Sequence, residues 1–145
     1  MKPPTTANSD APINLHAAII AAIKGDFAEV VVAMLENQNK KSVAIHRGVR
    51  VRKCHTSRKD AFKSINYPPI ARIINNEIQM LTSEYVRRNP SRKPKLLNKF
   101  ERRVSLIKFY PGFDPIVIDW FIDNGYKGLI IEGVGLGHIL SLIHI

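Results

Sequence analysis

Apolar and polar positions recur with two different periods along this chain, and the switches between them mark its elements. Leu15, Ala18, Ile19, Ala22 and Ile23 fall at helical spacing over residues 14–23, and Gly25 supplies a stop, so a helix is expected there. The β-branched run FAEVVVAML at 27–35 predicts a buried strand, and residues 42–46 a second. A third covers 49–54, where Val49 and Val51 alternate with Arg50 and Arg52. On that period Lys53 shares the face of both valines, so an ammonium is expected to point inward just before the polar loop at 55–59. In PIARIINNEIQML (69–81), two apolar segments flank Asn75 and Asn76, residues that tolerate positive φ, and a hairpin follows.

The pattern changes at residue 86. VRRNPSRKPKLLNK (86–99) has two prolines, six basic residues and little to build a core with, so residues 86–103 read as a basic linker. Beyond it VSLIKFY (104–110) is a strand. Asp114 caps a helix whose first residue is Pro115, which runs to Asn124 and is ended by Gly125. GLIIEG (128–133) is another buried strand, and strand, helix and strand in so short a stretch predict a right-handed parallel βαβ unit. The fold class expected is α/β, with parts of two domains, mainly parallel sheets flanked by helices, at 1–85 and 104–145.

Ligands gather past the carboxyl ends of strands in such sheets, where EGVGLGH (132–138) falls. Gly133, Gly135 and Gly137 match neither a dinucleotide fingerprint nor a phosphate loop. A tight strand-to-helix turn and a binding loop both fit, with a helix expected to begin after Gly137. The last residues, ILSLIHI, are apolar and unpunctuated, and the chain reads as cut there.

Charge modifies this picture more than bulk composition does. The net charge of +10 is concentrated: residues 47–63 hold seven Lys or Arg and residues 87–103 hold eight, of 22 in all. Such clusters suit either contact with RNA, for which Arg87, Arg88, Arg92 and Lys93 are candidates, or a solvated basic surface. The single cysteine, Cys54, makes no internal disulfide and reads as a small buried filler, so a reducing cytoplasm is the simplest setting. No apolar run approaches a membrane span. His46 and His55 lack companions at metal-ligand spacing, and no metal site is expected.

Three stretches in order then carry a resemblance. The first has Ser9, Asp10, Pro12, Asn14 and Leu15. The second is VRKCHTSRKDAFKSINYPPIARI, with Lys53, Phe62, Lys63, Ser64, Asn66 and Tyr67. The third is IKFYPGFDP followed by GYKGLIIEGVGLGH. Together they resemble the type I L-asparaginase family, in the branch formed by the D subunits of archaeal glutamyl-tRNA(Gln) amidotransferases. The pattern R-K-x-H-T-S-R-x-D-A-F and the G-L-G-H ending favour that branch over free-standing asparaginases.

What the resemblance implies is an asparaginase-type fold in two parts: the end of the catalytic domain at 1–85 and the start of the smaller domain at 104–145. Lys53 becomes the lysine of a charge-coupled triad with a threonine nucleophile and an aspartate, and His138 comes to lie near a neighbouring subunit's site. From the residues alone, His138 also fits a helix-cap histidine and Asp114 nothing beyond an N-cap. The chain contains no Gly-Gly and no Thr-Asp dipeptide, so the family's Gly-Gly-Thr and Gly-Thr-Asp-Thr motifs are missing, and an inactive internal fragment is expected. The tail at 140–145 departs from the family pattern. A full-length protein would hydrolyse glutamine, or asparagine, without a cofactor of its own. Its implied partners are an E subunit using ATP with Mg, and Glu-tRNA(Gln), within a heterotetramer built on a homodimer in the cytoplasm. An ordinary L-asparaginase and a basic RNA-binding module remain the alternatives.

Overall fold

The computed structural model describes residues 4–38 and 42–139. Contacts cluster into two units, residues 1–93 and residues 94–145. The first unit opens with α1 (Ala11–Lys24), which has proline in its first turn and stops where Gly25 donates to the Ala21 carbonyl. A Cβ on Gly25 would lie 2.5 Å from that oxygen, so only glycine fits. Asn14 ties the helix to the sheet: its Nδ2 donates to Asp10 and its Oδ1 accepts the Leu35 amide.

Four strands follow α1 into one sheet: β1 (Val31–Leu35), β2 (Val43–Arg47), β5 (Ala71–Ile74) and β6 (Glu77–Met80), in the order β1-β2-β5-β6. Every pair is antiparallel. This corrects the expectation of mainly parallel sheets for the first unit, because parallel neighbours need crossovers of a dozen residues or more and these connections are shorter or paired elsewhere. The hairpin at Asn75 and Asn76 forms as the pattern predicts, with φ of 49° and 67°. The strand expected over 27–35 is two pieces: Phe27 bridges to Arg87, and β1 begins only at Val31.

The core lies between α1 and the sheet. Ile45 and Ile70 are fully buried, joined by Val43, Ile73, Leu35, Phe27 and the small face Ala17, Ile20 and Ala21 of α1. Burying each isoleucine contributes about 1.5–3 kcal/mol, one from β2 and one from the residue that leads into β5. Between β2 and β5 the chain makes a separate two-stranded ribbon, β3 (Val51–Lys53) with β4 (Phe62–Ser64), in which Lys53 stands opposite Phe62.

The second unit is the βαβ unit that the spacing predicts. β7 (Val104–Lys108) and β8 (Gly128–Glu132) pair in parallel, connected through α2 (Ile116–Asp123). Asp114 accepts the Ile116 amide as a cap should, and Gly125 leaves the helix at φ 72°. Trp120, Phe121 and Tyr126 stack edge to face around its end. No residue of α2 is buried within this unit. The helix expected after Gly137 and the tail lie outside the described residues beyond Ile139.

Candidate functional site

The β3–β4 ribbon is where chemistry and structure meet. β3 is short because only Val51 of its three residues is even half-buried; Lys53 is exposed, and Val49 before it is 91% exposed. The inward lysine expected from alternation is therefore corrected. The ribbon pairs only with itself, and of the face that Val49, Val51 and Lys53 share only Val51 is half-buried. Cys54 is exposed rather than a buried filler. Lys53 Nζ has neither hydrogen bond nor ion pair among the described residues.

The turn after Lys53 is tightly organised. The Cys54 amide donates to the Ala61 carbonyl at 2.7 Å, closing the ribbon directly past the lysine. His55 Nδ1 accepts the Ser57 and Arg58 amides, at 3.1 and 3.3 Å. Inside the turn, Asp60 has a side chain only 5% exposed and takes a two-pronged grip from Arg58, Nε at 2.9 Å and Nη2 at 2.7 Å. Lys63 Nζ adds a contact at 3.6 Å. The Arg58 hydrogen bonds hold the Asp60 carboxyl well below its usual 3.8, at about 2, against the opposing effect of burial.

That depression has a pH consequence. A carboxyl with a lowered folded pKa stabilises above its unfolded value, and the stabilisation disappears as pH falls through the folded one. Between about pH 4 and pH 2, wild-type stability should therefore fall more steeply than that of Asp60→Asn. Denaturant midpoints across that range check this, and parallel curves would contradict it.

A polar seam fastens the ribbon to the sheet. Ser64 Oγ meets His46 Nδ1 at 2.8 Å, and Lys63 Nζ donates to the Glu36 carbonyl at 3.4 Å. Arg72 pairs with the Glu36 carboxylate. His46 is buried, and burial first, then the Lys63 charge, lowers its pKa and keeps the ring neutral at pH 7. Its Nε2 and Arg72 Nε are buried without hydrogen-bond partners among the described residues. A pocket of about 300 Å3 opens at this seam, between His46, Lys63, Tyr67 and Glu36.

The other sequence candidates lie elsewhere. Arg87, Arg88 and Arg92 belong to the first unit and are occupied. Arg87 pairs with Asp26 at 3.0 Å, Arg88 Nη2 donates to the Ala22 carbonyl at the end of α1, and Arg92 Nη2 donates to the Ala28 carbonyl. Backbone bonds from Ala28 to Val86 and from Arg88 to Asp26 make residues 86–88 part of the fold, which corrects the start of the expected linker. Of these contacts, the Arg88 bond to Ala22 satisfies a carbonyl in the last turn of α1, which favours a basic partner. Residues 94–103 form no helix or strand. His138 is in the second unit, exposed, closing a tight turn with Val134 in which Gly135 and Gly137 take positive φ. The turn in EGVGLGH closes on itself, and no helix follows it among the described residues.

Sequence reasoning assigned no role to Asp60, although Arg-x-Asp beside a strand start was visible in the pattern. No group of three or more potential metal-ligating side chains occurs among the described residues. Likewise no described helix is long and apolar enough to cross a membrane.

The family profile described as "Asparaginase, N-terminal" matches residues 1–85. Curated relatives named as the D subunit of glutamyl-tRNA(Gln) amidotransferase include that of Sulfurisphaera tokodaii, 45% identical over 133 residues, covering 90% of this chain and 29% of that one. The D subunit from Methanopyrus kandleri is 45% identical over 137 residues, covering 91% and 30%. Among solved structures, the thermostable L-asparaginase from Thermococcus kodakarensis superposes with a TM-score of 0.69 at 32% identity, over 93% of this chain and 38% of that one. The chain thus spans about 30% of the length of the curated relatives it matches.

Proposed function

The chain belongs to the asparaginase family, and we propose that it is part of the amidase subunit of a tRNA-dependent amidotransferase. In this reading residues 1–85 complete the catalytic domain, a basic linker follows within 86–103, and residues 104–145 open the smaller domain. Identity of 45% along nine-tenths of the chain to an amidotransferase D subunit carries the reading. The likeness to an L-asparaginase at 32% identity supports an ordinary asparaginase less strongly.

The chemistry follows from the amide. A threonine Oγ, contributed by sequence outside this chain, attacks the side-chain amide carbon of glutamine or asparagine and expels ammonia. Water then cleaves the resulting ester. A hydroxyl is a poor nucleophile until a base takes its proton, and Lys53, paired with an aspartate from the same outside region, relays that proton. The exposure of Lys53 supports this, because an uncovered lysine at a ribbon end is free to meet groups brought by the rest of the protein.

Ammonia then passes to an E subunit, which activates Glu-tRNA(Gln) with ATP and Mg and releases Gln-tRNA(Gln). His138 would reach the site of a neighbouring copy in a homodimer, within a cytoplasmic heterotetramer. Arg87, Arg88, Arg92 and Lys93 offer RNA an outer surface, although three of them already hold backbone or Asp26. The full-length protein, assayed with its partner subunit for glutamine-dependent conversion of Glu-tRNA(Gln), tests the reading.

A further inference from the structure

We propose that Asp60 is a positioning residue that sets the place of Lys53 through the backbone of the β3–β4 turn; this rests on the reading of Lys53 above. The side chain of Lys53 makes no hydrogen bond or ion pair among the described residues, so its root is fixed by main chain alone. Two connections do the fixing: the antiparallel pairing of Lys53 with Phe62, and the 2.7 Å bond from the Cys54 amide to the Ala61 carbonyl.

Ala61 is itself buried and follows Asp60 directly, so anchoring Asp60 restrains the backbone that carries the Ala61 carbonyl. Asp60 cannot swing without breaking its two bonds to Arg58 and its contact with Lys63. The Arg58 fork is planar and matches a carboxylate in one orientation only, so the grip fixes direction as well as distance. Arg58 is held in turn by its amide on His55. On the other side Lys63 reaches the Glu36 carbonyl and Ser64 meets His46, which refers the whole turn to the four-stranded sheet. A path of short contacts thus runs from the sheet through Lys63 and Asp60 to Ala61, Cys54 and Lys53. Displacing a reacting group by about 1 Å can cost as much as 10²-fold in rate, so a loosened turn would act on chemistry more than on substrate capture.

The experiment uses the full-length protein and reads two quantities for Asp60→Asn: hydrogen exchange at the Cys54 amide, and glutamine kcat and KM separately. Exchange should quicken, kcat should fall about tenfold or more, and KM should stay within about twofold. In a Lys53→Met background Asp60→Asn should cost nothing further, since it acts through the lysine. Unchanged Cys54 exchange, or losses that multiply across the two sites, would overturn the proposal. If Lys53→Met alone retains wild-type turnover, the catalytic reading of Lys53 fails, and Cys54 exchange still decides whether Asp60 holds the turn. Should Asp60→Asn not fold, Arg58→Lys, which keeps the charge and loses the fork, is read by the same measures.

Discussion

In the full-length protein, Lys53→Met should lower glutamine turnover by about 10²–10⁴-fold, the range of a general acid–base contribution, with melting temperature nearly unchanged. Methionine keeps much of the aliphatic stem and removes the ammonium, so the threonine loses its proton relay while the ribbon keeps its shape. Alternation along β3 would have made this the relief of a buried charge, with a gain in stability. In the proposed full-length site the substitution also removes the lysine's pairing with the aspartate, which offsets that gain, so the melting temperature should move little. Substrate affinity should move far less than turnover, because the lysine acts on the nucleophile and not on the amino acid. Turnover and melting temperature taken on one preparation check both halves. A variant within about threefold of wild type, far short of the acid–base range, would make Lys53 structural.

Residues 1–145 alone should release no ammonia from glutamine above a Lys53→Ala control. The proton relay has nothing to act upon: the chain has no Gly-Gly-Thr, no Gly-Thr-Asp-Thr, and no described acid beside Lys53 Nζ. The apolar surfaces agree with a protein that continues elsewhere. Leu15, Ile19 and Ile23 leave the outer side of α1 exposed, and Ile116, Trp120 and Ile122 do the same on α2. Ammonia release by this chain that the control abolishes would place a nucleophile where none is recognised.

The helix, the Asn75–Asn76 hairpin and the βαβ unit were legible in the sequence because each rests on local signals. A 3.6 period with a glycine stop, two residues tolerant of positive φ, and an Asp-Pro start beside two apolar runs suffice for them. Strand direction in the first unit was not legible, since it depends on which strands meet, and Ile45 finds Ala71 across a gap that no local period encodes. The face of Lys53 was misread for a related reason. Alternation says which residues share a side, but only a covering layer makes that side an interior. Arg87 and Arg88 looked like linker because their composition is polar, whereas their partners, Asp26 and the Ala22 carbonyl, are about 60 residues away in sequence. The resemblance singles out Lys53 by its place among Phe62, Lys63, Ser64 and Asn66, a pattern richer than any single period. Asp60 stood in that same pattern, and only the distances to Arg58 and Lys63 gave it a role.

The most direct test of the central claim is the formation of Gln-tRNA(Gln) by the full-length protein with its partner subunit, supplied with Glu-tRNA(Gln), ATP, Mg and glutamine as the amide source. Glutamine should support conversion in the wild type. In Lys53→Met it should not, while added ammonium salt restores the product, because the variant lacks only the supply of ammonia. Asparagine hydrolysis that proceeds without the partner, together with no glutamine-dependent conversion in its presence, would contradict the account.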